Sequence, residues 1–159
     1  MKISAQEEYG LRILVRIAQQ GNSEGLTIPE ISQAEGLSEA NVAKLCRILR
    51  LADYIKSSRG KSGGYMLNRP AREINLKEIL TTLGGRLYDK QYCETHKGIS
   101  LNCRNKANCC IQPLWEIVQQ SVDEVLSNLT LNDLIIQGSY LTINSPKSFS
   151  AQSGYSSKT

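Results

Sequence analysis

Residues 37–67 read LSEANVAKLCRILRLADYIKSSRGKSGGYML and carry the clearest structural signals of the chain. Ser38 is followed by apolar residues at three- and four-residue spacing, which predicts a capped helix with one buried stripe. That stripe consists of Val42, Leu45 and Leu49, flanked by Cys46 and Ile48. Asp53 ends the helix, and two β-prone segments, 54–58 and 65–67, then flank a glycine-rich turn. This order predicts a helix followed directly by a β-hairpin.

Two further helices are predicted upstream of this stretch. Thr27-Ile-Pro-Glu30 has the form of a capping box with proline in the first turn, and the helix that it opens ends at Gly36. A short glycine-containing turn therefore joins two helices, which is the helix-turn-helix pattern. Ser4-Ala-Gln-Glu7 opens a first helix over about residues 5–20. With the hairpin as its wing, the segment 1–85 predicts a winged helix-turn-helix, a mainly α fold with a small β-hairpin.

Positive charge is concentrated on this part of the chain. The formal net charge is +4, but residues 44–72 hold eight Lys or Arg and one acid, Asp53. Such an excess suits phosphate binding, whereas a solvated surface is the plain alternative. The glycine run lacks the spacing and the following helix of a nucleotide phosphate loop. We therefore predict contacts with double-stranded operator DNA from the third helix and the wing: Ser38, Ala40, Asn41, Lys44, Arg47, Arg59, Lys61, Ser62 and Gly63.

A long amphipathic helix is predicted near the C-terminus. From Pro113 onward, apolar residues recur at helical spacing: Leu114, Ile117, Val118, Val122, Val125, Leu126 and Leu129. Because the winged helix is already complete, this stripe needs a partner, so the segment 113–143 is predicted to form the dimerisation helix and a C-terminal helix of a homodimer. Tyr9 and Trp115 are interpreted as packing residues. The segment 144–159 is predicted to be a disordered tail.

Four of the five cysteines lie in the segment 86–112, which has no regular apolar periodicity. Nine residues separate Cys93 from Cys103, five separate Cys103 from Cys109, and Cys110 follows directly. The interleaved cations Lys97, Arg104 and Lys106 favour thiolate, the form that binds metal. We interpret this segment as a cysteine loop that binds a metal or cluster. Cys46, beside the buried stripe of the third helix, is interpreted as a small core residue.

Composition and motifs argue against several classes of protein. No stretch approaches the roughly twenty apolar residues of a membrane span, and the N-terminus lacks the features of a signal peptide. We therefore expect a cytoplasmic protein without a membrane partner, in which clustered cysteines indicate metal or redox chemistry rather than a disulfide framework. No Ser-His-Asp, paired-carboxylate or nucleotide-binding constellation occurs in the sequence, so an enzyme is not expected.

Several of these motifs together resemble a known family. They are the opening Met1-Lys-Ile-Ser, the wing residues Gly63-Gly-Tyr-Met-Leu67, the three-cysteine loop and the ending Pro113-Leu-Trp115. Over about residues 1–140 the chain resembles the dimeric winged-helix transcription regulators of the IscR and NsrR type. That resemblance implies an iron–sulfur cluster, of the 2Fe-2S type, bound by Cys93, Cys103 and Cys109. Some members of the family lack a cluster and sense through a protein partner.

The fourth cluster ligand is open at this point. Gln112 stands where an IscR-type histidine ligates, and the gap between the first two cysteines is longer than in that type. Glu8 matches the acidic ligand that NsrR-like relatives donate from the other subunit, although the dipole alone favours an acid in a first helical turn. Cys110 could reach a different iron of a binuclear cluster. His96 follows Cys93 at a spacing suited to zinc, and solvent or another group is the remaining alternative.

Taken together, the residues predict a sequence-specific DNA-binding transcription regulator whose iron–sulfur cluster senses iron, redox or nitric oxide status. The alternative is a zinc-binding or cluster-free winged-helix regulator that responds to a protein partner or to thiol oxidation. A thiol redox enzyme or electron carrier would instead show turnover with a reductant and no specific affinity for DNA.

Overall fold

The computed structural model describes residues 3–21, 25–58, 63–88, 109 and 111–136. Its elements, in chain order, are α1 (Ala5–Gln20), α2 (Ile28–Glu35), α3 (Glu39–Leu51), β1 (Ile55–Ser57), β2 (Tyr65–Leu67), a 3-10 turn (Ala71–Glu73), α4 (Leu76–Gly84), α5 (Ile111–Ser127) and α6 (Leu131–Ile136). The predicted mainly α winged helix is confirmed. The predicted tail and most of the predicted cysteine loop lie outside the described residues.

The predicted helix starts are confirmed because local hydrogen bonds fix them. The Ser4 amide donates to the Glu7 carboxylate over 2.7 Å, and the Glu7 amide donates back to the Ser4 hydroxyl over 3.2 Å. Thr27 and Glu30 form the same reciprocal cap on α2, and Ser38 caps α3. The prediction was wrong for the start of α5, which lies at Ile111 rather than at Pro113. Proline fits there because a first helical turn needs no N–H donor.

One core lies between α1, α3 and α4. Its fully buried side chains include Ile13, Leu14, Ile31, Val42, Leu45, Cys46, Leu49, Ile74, Ile79 and Leu131. The predicted stripe of α3 is therefore confirmed as its buried face. Cys46 belongs to the core, and burial raises the pKa of its thiol to about 11. α6 closes the core from the C-terminal side, since the Leu131 amide donates to the Ile74 carbonyl over 2.8 Å.

The wing is tied back to the body of the domain. β1 and β2 pair antiparallel, with Lys56 opposite Met66. Leu26 adds a bridge to the outer side of β2 through two backbone hydrogen bonds with Tyr65, of 2.7 and 2.9 Å. A Cβ atom on Gly64 would come within 2.6 Å of the Leu26 backbone, so only glycine allows this approach.

Among the residues that the structure describes, α5 packs along one side, against α4. Gln119 is its buried residue, and the Gln119 side chain accepts from the Tyr88 amide over 2.8 Å. Asp123 pairs with Lys77, in the first turn of α4, at 3.4 Å and with Arg86, just after α4, at 2.6 Å, and these pairs hold α5 against α4. The other side exposes the apolar residues Ile111, Leu114, Trp115 and Ile117.

Two expectations from the sequence, one about Trp115 and one about membrane spans, can be compared with the structure. Trp115 is interpreted from the sequence as a packing residue, but within one chain it is 44% exposed, because it lies on the uncovered side of α5. In the part of the chain that the structure describes, every helix is too short or too polar to cross a membrane.

Candidate DNA interface and cluster site

α3 presents a basic face to solvent. Ala40, Lys44 and Arg47 are exposed at four- and three-residue spacing, which places them on one side of the helix. The Ser38 hydroxyl accepts from the Asn41 amide over 3.3 Å and so fixes the start of that face. Within the described ranges, no acidic side chain pairs with Lys44 or Arg47. Their charges are therefore available to phosphate or to base edges in a groove.

The wing is only partly described. The Ser58 side-chain oxygen accepts from the Gly64 amide over 2.9 Å, which closes the base of the hairpin. Gly63 is exposed beside this closure. The remaining predicted wing contacts, Arg59, Lys61 and Ser62, lie outside the described residues, so their role stays a prediction.

A buried carboxylate joins α1 to the end of α2. The Glu35 side chain is 7% exposed and accepts from Arg12 Nε over 2.9 Å and from Arg16 Nε over 2.7 Å. Arg12 also donates to the Glu35 backbone carbonyl over 2.8 Å. Burial raises the pKa of Glu35, but the hydrogen bonds and charges of Arg16 and Arg12 outweigh it, so this pKa lies below its ordinary value. We call these three residues the Glu35 clamp.

Sequence reasoning missed the Glu35 clamp. The two arginines lie one helical turn apart on α1, and Glu35 is the last residue of α2. An arginine pair on a helix and an acid at another helix end are ordinary surface patterns, so no local signal marks them as partners. The clamp matters for the interface because Glu35 comes three residues before Ser38, the cap of α3.

Of the predicted cluster ligands, Cys109 and Glu8 fall within the described residues. Cys109 is half-buried just before α5, and its sulfur accepts from the Gln112 amide over 3.4 Å. Backbone N–H groups at a helix start stabilise an anionic ligand such as thiolate. The Gln112 side chain donates to the Glu116 carboxylate over 3.0 Å. The other candidates, Cys93, Cys103, Cys110 and His96, lie outside the described residues.

Glu8 is exposed in the first turn of α1. Glu7 already fills the reciprocal cap with Ser4, so capping leaves the Glu8 carboxylate unused. Glu8 lines a groove that also contains Arg12, Arg16 and Glu35. Within the described residues no set of three or more His, Cys, Asp or Glu side chains is grouped closely enough to hold a metal ion. The fourth-ligand assignment therefore stays a prediction.

Comparison with known proteins extends these observations. The sequence profile of the Rrf2 family, described as iron-dependent transcriptional regulators, matches residues 3–137. The chain is 30% identical over 135 residues to protein rrf2 of Nitratidesulfovibrio vulgaris. The aligned region covers 85% of this chain and 87% of protein rrf2.

Solved structures show the same fold. CymR, the global cysteine regulator of B. subtilis, superposes with a TM-score of 0.66 at 29% identity and covers 86% of this chain and 97% of its own. IscR of T. potens superposes with a TM-score of 0.67 at 29% identity and covers 87% of this chain and 88% of its own. The winged helix, the basic face of α3 and the family match agree on a DNA-binding regulator. The chain belongs to the Rrf2 family of transcriptional regulators.

Proposed function

We propose that this chain is a homodimeric regulator whose operator affinity is set by an iron–sulfur cluster, of the 2Fe-2S type, bound by Cys93, Cys103 and Cys109. The observation that carries the proposal is the position of Cys109. Its sulfur accepts a backbone N–H at the start of a 17-residue helix, where an anionic ligand is stabilised. When bound, the cluster supplies an iron centre that responds to iron supply, redox state or nitric oxide.

The exposed apolar side of α5 supports the homodimer. Ile111, Leu114 and Ile117 are each more than half exposed, at 59%, 53% and 55%. Trp115 lies among them, and tryptophan is enriched at the energetic centres of interfaces. A stripe of one helix that is too apolar for solvent is most simply covered by the same stripe of a second copy around a two-fold axis.

Glu8 is the fourth ligand in this proposal, donated from the other subunit. Gln112 is a poor candidate because its side chain is already held by Glu116 and its amide oxygen is uncharged. Glu8 is exposed and has no capping role, so its carboxylate is free to bind iron. A carboxylate is a harder and weaker partner for an iron–sulfur cluster than a thiolate, so this bond is the one expected to yield first.

The regulatory consequence follows from where Glu8 lies. α1 contacts α2, α3 and α4, so a ligand bond at its first turn acts on the helix that carries Lys44 and Arg47. A cluster can shift operator affinity only by its differential affinity for the two conformations of the protein. Operator DNA must then change cluster stability by the same factor.

The direct test is anaerobic purification followed by visible absorption and by iron and sulfide analysis. A brown protein with matched iron and sulfide is expected. Cys93→Ala, Cys103→Ala and Cys109→Ala should each abolish the absorption, whereas Cys46→Ala, a change in the core, should keep it. A full cluster in any of the three loop variants would remove that cysteine from the ligand set.

Glu8 is tested separately. Glu8→Ala should retain a cluster of altered colour and greater lability whose state no longer changes operator affinity, because the link to α1 is cut. Operator titrations on cluster-loaded and cluster-free protein give the ratio of the two operator affinities, for the wild type and for the variant. Equal ratios in both proteins would show that Glu8 is only a first-turn acid.

A second candidate function is a regulator without a cluster that responds to thiol status or through a protein partner. The observation that favours it is the likeness to CymR, which is described as a global cysteine regulator. A colourless protein without iron, whose operator affinity changes on thiol oxidation, supports this candidate. Stoichiometric zinc without colour instead supports zinc in the cysteine loop.

A further inference from the structure

Gln119 places a polar side chain in the interior of the domain. Among the described residues it is the polar or charged residue that is buried, with 5% of its surface exposed. An amide at such a position costs free energy unless it is hydrogen-bonded, whereas an apolar side chain of the same size would not. The hydrogen bonds that Gln119 makes therefore account for a glutamine at this position of α5.

The Gln119 side chain uses both ends of its amide. Its Oε1 atom accepts from the Tyr88 backbone N–H over 2.8 Å, and its Nε2 atom donates to Asp123 Oδ1 over 2.7 Å. Asp123 Oδ2 in turn pairs with Arg86 at 2.6 Å. Because a carboxylate only accepts, Asp123 fixes which end of the Gln119 amide faces Tyr88. Neither glutamate nor methionine at position 119 could make both bonds.

These bonds hold the chain just before the first predicted cluster ligand. Tyr88 is 7% exposed, and Cys93 follows it by five residues. The last predicted cysteine ligand is held as well, since the Cys109 sulfur accepts from the Gln112 amide over 3.4 Å. Gln112 and Gln119 are seven residues apart on α5, about 10 Å along the helix axis. One helix therefore holds the chain at both ends of the run of predicted cysteine ligands.

We infer that Gln119 is a positioning residue for the cluster, because it fixes Tyr88 on the same helix that holds Cys109. This inference rests on the proposed binding of a cluster by Cys93, Cys103 and Cys109. Five residues span at most about 18 Å, so an anchor at Tyr88 limits where Cys93 can lie. The entropy lost in ordering a segment opposes ligand binding, and an end that is fixed in advance lowers that cost.

The anchor at Tyr88 is distinct from the packing of α5 on α4. Lys77 also approaches Asp123, at 3.4 Å, and ties α5 to α4 from the first turn of that helix. Loss of the Lys77 ammonium loosens this packing but leaves the bond between Gln119 and Tyr88 in place. Lys77 and Gln119 can therefore be changed separately to distinguish helix packing from the position of Tyr88.

The experiment measures, in the intact homodimer, how fast the cluster is lost to EDTA under anaerobic conditions, followed by visible absorption. Gln119→Met is close to glutamine in length but has no amide, and it should raise this rate about five- to tenfold, because the buried Tyr88 N–H loses its acceptor. Gln119→Glu keeps an oxygen that can accept from Tyr88, and Arg86 and Lys77 offset its added charge. Its rate should lie closer to that of the wild type than to that of Gln119→Met.

Two control variants separate the anchor from a general loss of stability. Lys77→Met weakens a partly exposed ion pair between α4 and α5 and should leave the rate of cluster loss within about twofold of the wild type. Ile79→Val removes one methylene group from the core and lowers the melting temperature without touching Tyr88. Its rate of cluster loss should also stay within about twofold of the wild type, because the anchor is intact.

A second measurement needs neither a cluster nor a variant, so it applies even if Gln119→Met folds poorly. In the cluster-free wild type, the Tyr88 amide hydrogen should exchange with solvent at least about tenfold more slowly than an unbonded amide, since a bonded buried amide exchanges only through local opening. Gln119→Met should remove most of this protection, whereas Gln119→Glu should keep most of it. Exchange followed by NMR spectroscopy gives the rate at this amide.

The outcomes separate this inference from the proposed function. A wild-type protein without iron and colour overturns the proposed function, whatever the exchange rate at Tyr88. A brown wild type whose cluster is lost no faster from Gln119→Met overturns this inference alone. An unprotected Tyr88 amide in the wild type overturns it as well, and so does cluster loss that Lys77→Met or Ile79→Val accelerates as much as Gln119→Met. Equal rates in Gln119→Glu and Gln119→Met would likewise show that the bond to Tyr88 does not position the cluster.

Discussion

The winged helix and α5 use apolar side chains in opposite ways. In α3 the stripe Val42, Leu45 and Leu49 is at most 1% exposed, and the domain that contains it closes its own core. In α5, a longer helix, Gln119 is buried while Leu114 and Ile117 are more than half exposed. A regular apolar pattern therefore fixes a helix but leaves open what covers it. α3 is covered by its own chain, whereas the proposed cover of α5 is a second chain.

The largest expected effect is in the closed core. Ile79→Ala should lower the free energy of unfolding by about 2–5 kcal/mol, because it leaves a cavity where the side chain is fully buried. Denaturant unfolding measures the change. Leu51→Ala is the matched control, since Leu51 is 69% exposed, and its effect should stay within about 0.5 kcal/mol. Similar losses of unfolding free energy in Ile79→Ala and Leu51→Ala would contradict the described core.

The next effect concerns the uncovered side of α5. Trp115→Ala should leave the fold intact but weaken the proposed dimer by about 2 kcal/mol, roughly thirtyfold in the dissociation constant. Leu51→Ala, a change at an exposed apolar residue on α3 rather than on α5, is the control and should leave the dissociation constant unchanged. Sedimentation at several concentrations gives both values. A dimer that tolerates Trp115→Ala would place the interface elsewhere.

Local features of the fold were predictable from the sequence, whereas contacts between distant segments were not. Helix starts were predictable because Ser4 with Glu7, and Thr27 with Glu30, satisfy N–H groups within one turn. The pairing of Tyr65 with Leu26 was not predictable, since it depends on a close approach between segments far apart in the chain. The Glu35 clamp was missed for the same reason.

In the candidate site, too, some features follow from the sequence and others require the fold. The exposed face of α3 follows from helical spacing, so the amino-acid sequence alone places Ala40, Lys44 and Arg47 on it. The state of Gln112 does not follow from spacing, because its bond to Glu116 depends on the helix starting at Ile111. Local periodicity therefore predicts faces and caps, whereas partners across elements require the fold.

An effect of similar size is expected on DNA binding. Lys44→Ala should weaken operator binding by about 1–3 kcal/mol and relax specificity if Lys44 reads a base edge. If it contacts phosphate instead, all sequences should weaken alike and the salt dependence should fall by about one unit. Arg72→Ala is the control, because Arg72 lies on the 3-10 turn, outside α3 and the wing, with its side chain 78% exposed. Unchanged binding by Lys44→Ala at every salt concentration would exclude this face of α3.

The smallest predicted effect is the acid sensitivity of the Glu35 clamp. The pKa of Glu35 in the folded chain lies below its ordinary value of 4.5. A carboxyl with a depressed folded pKa stabilises the fold fully above its unfolded pKa, and this stabilisation is lost as the pH falls through the folded pKa. The loss therefore begins near pH 4.5 and grows below it. Its size should be about 1–2 kcal/mol, because solvent screens the two partly exposed arginines.

Glu35→Gln isolates this contribution from other acids. Glu30 also has a lowered pKa, because its carboxylate accepts from the Thr27 amide, so wild-type acid unfolding contains both groups. The difference between wild type and Glu35→Gln, measured by denaturant unfolding from neutral pH down to pH about 3, removes the Glu30 part. That difference should be constant above the ordinary pKa and shrink toward zero below it. A difference that does not change with pH would mean that the arginines bind Glu35 through hydrogen bonds that do not depend on its charge.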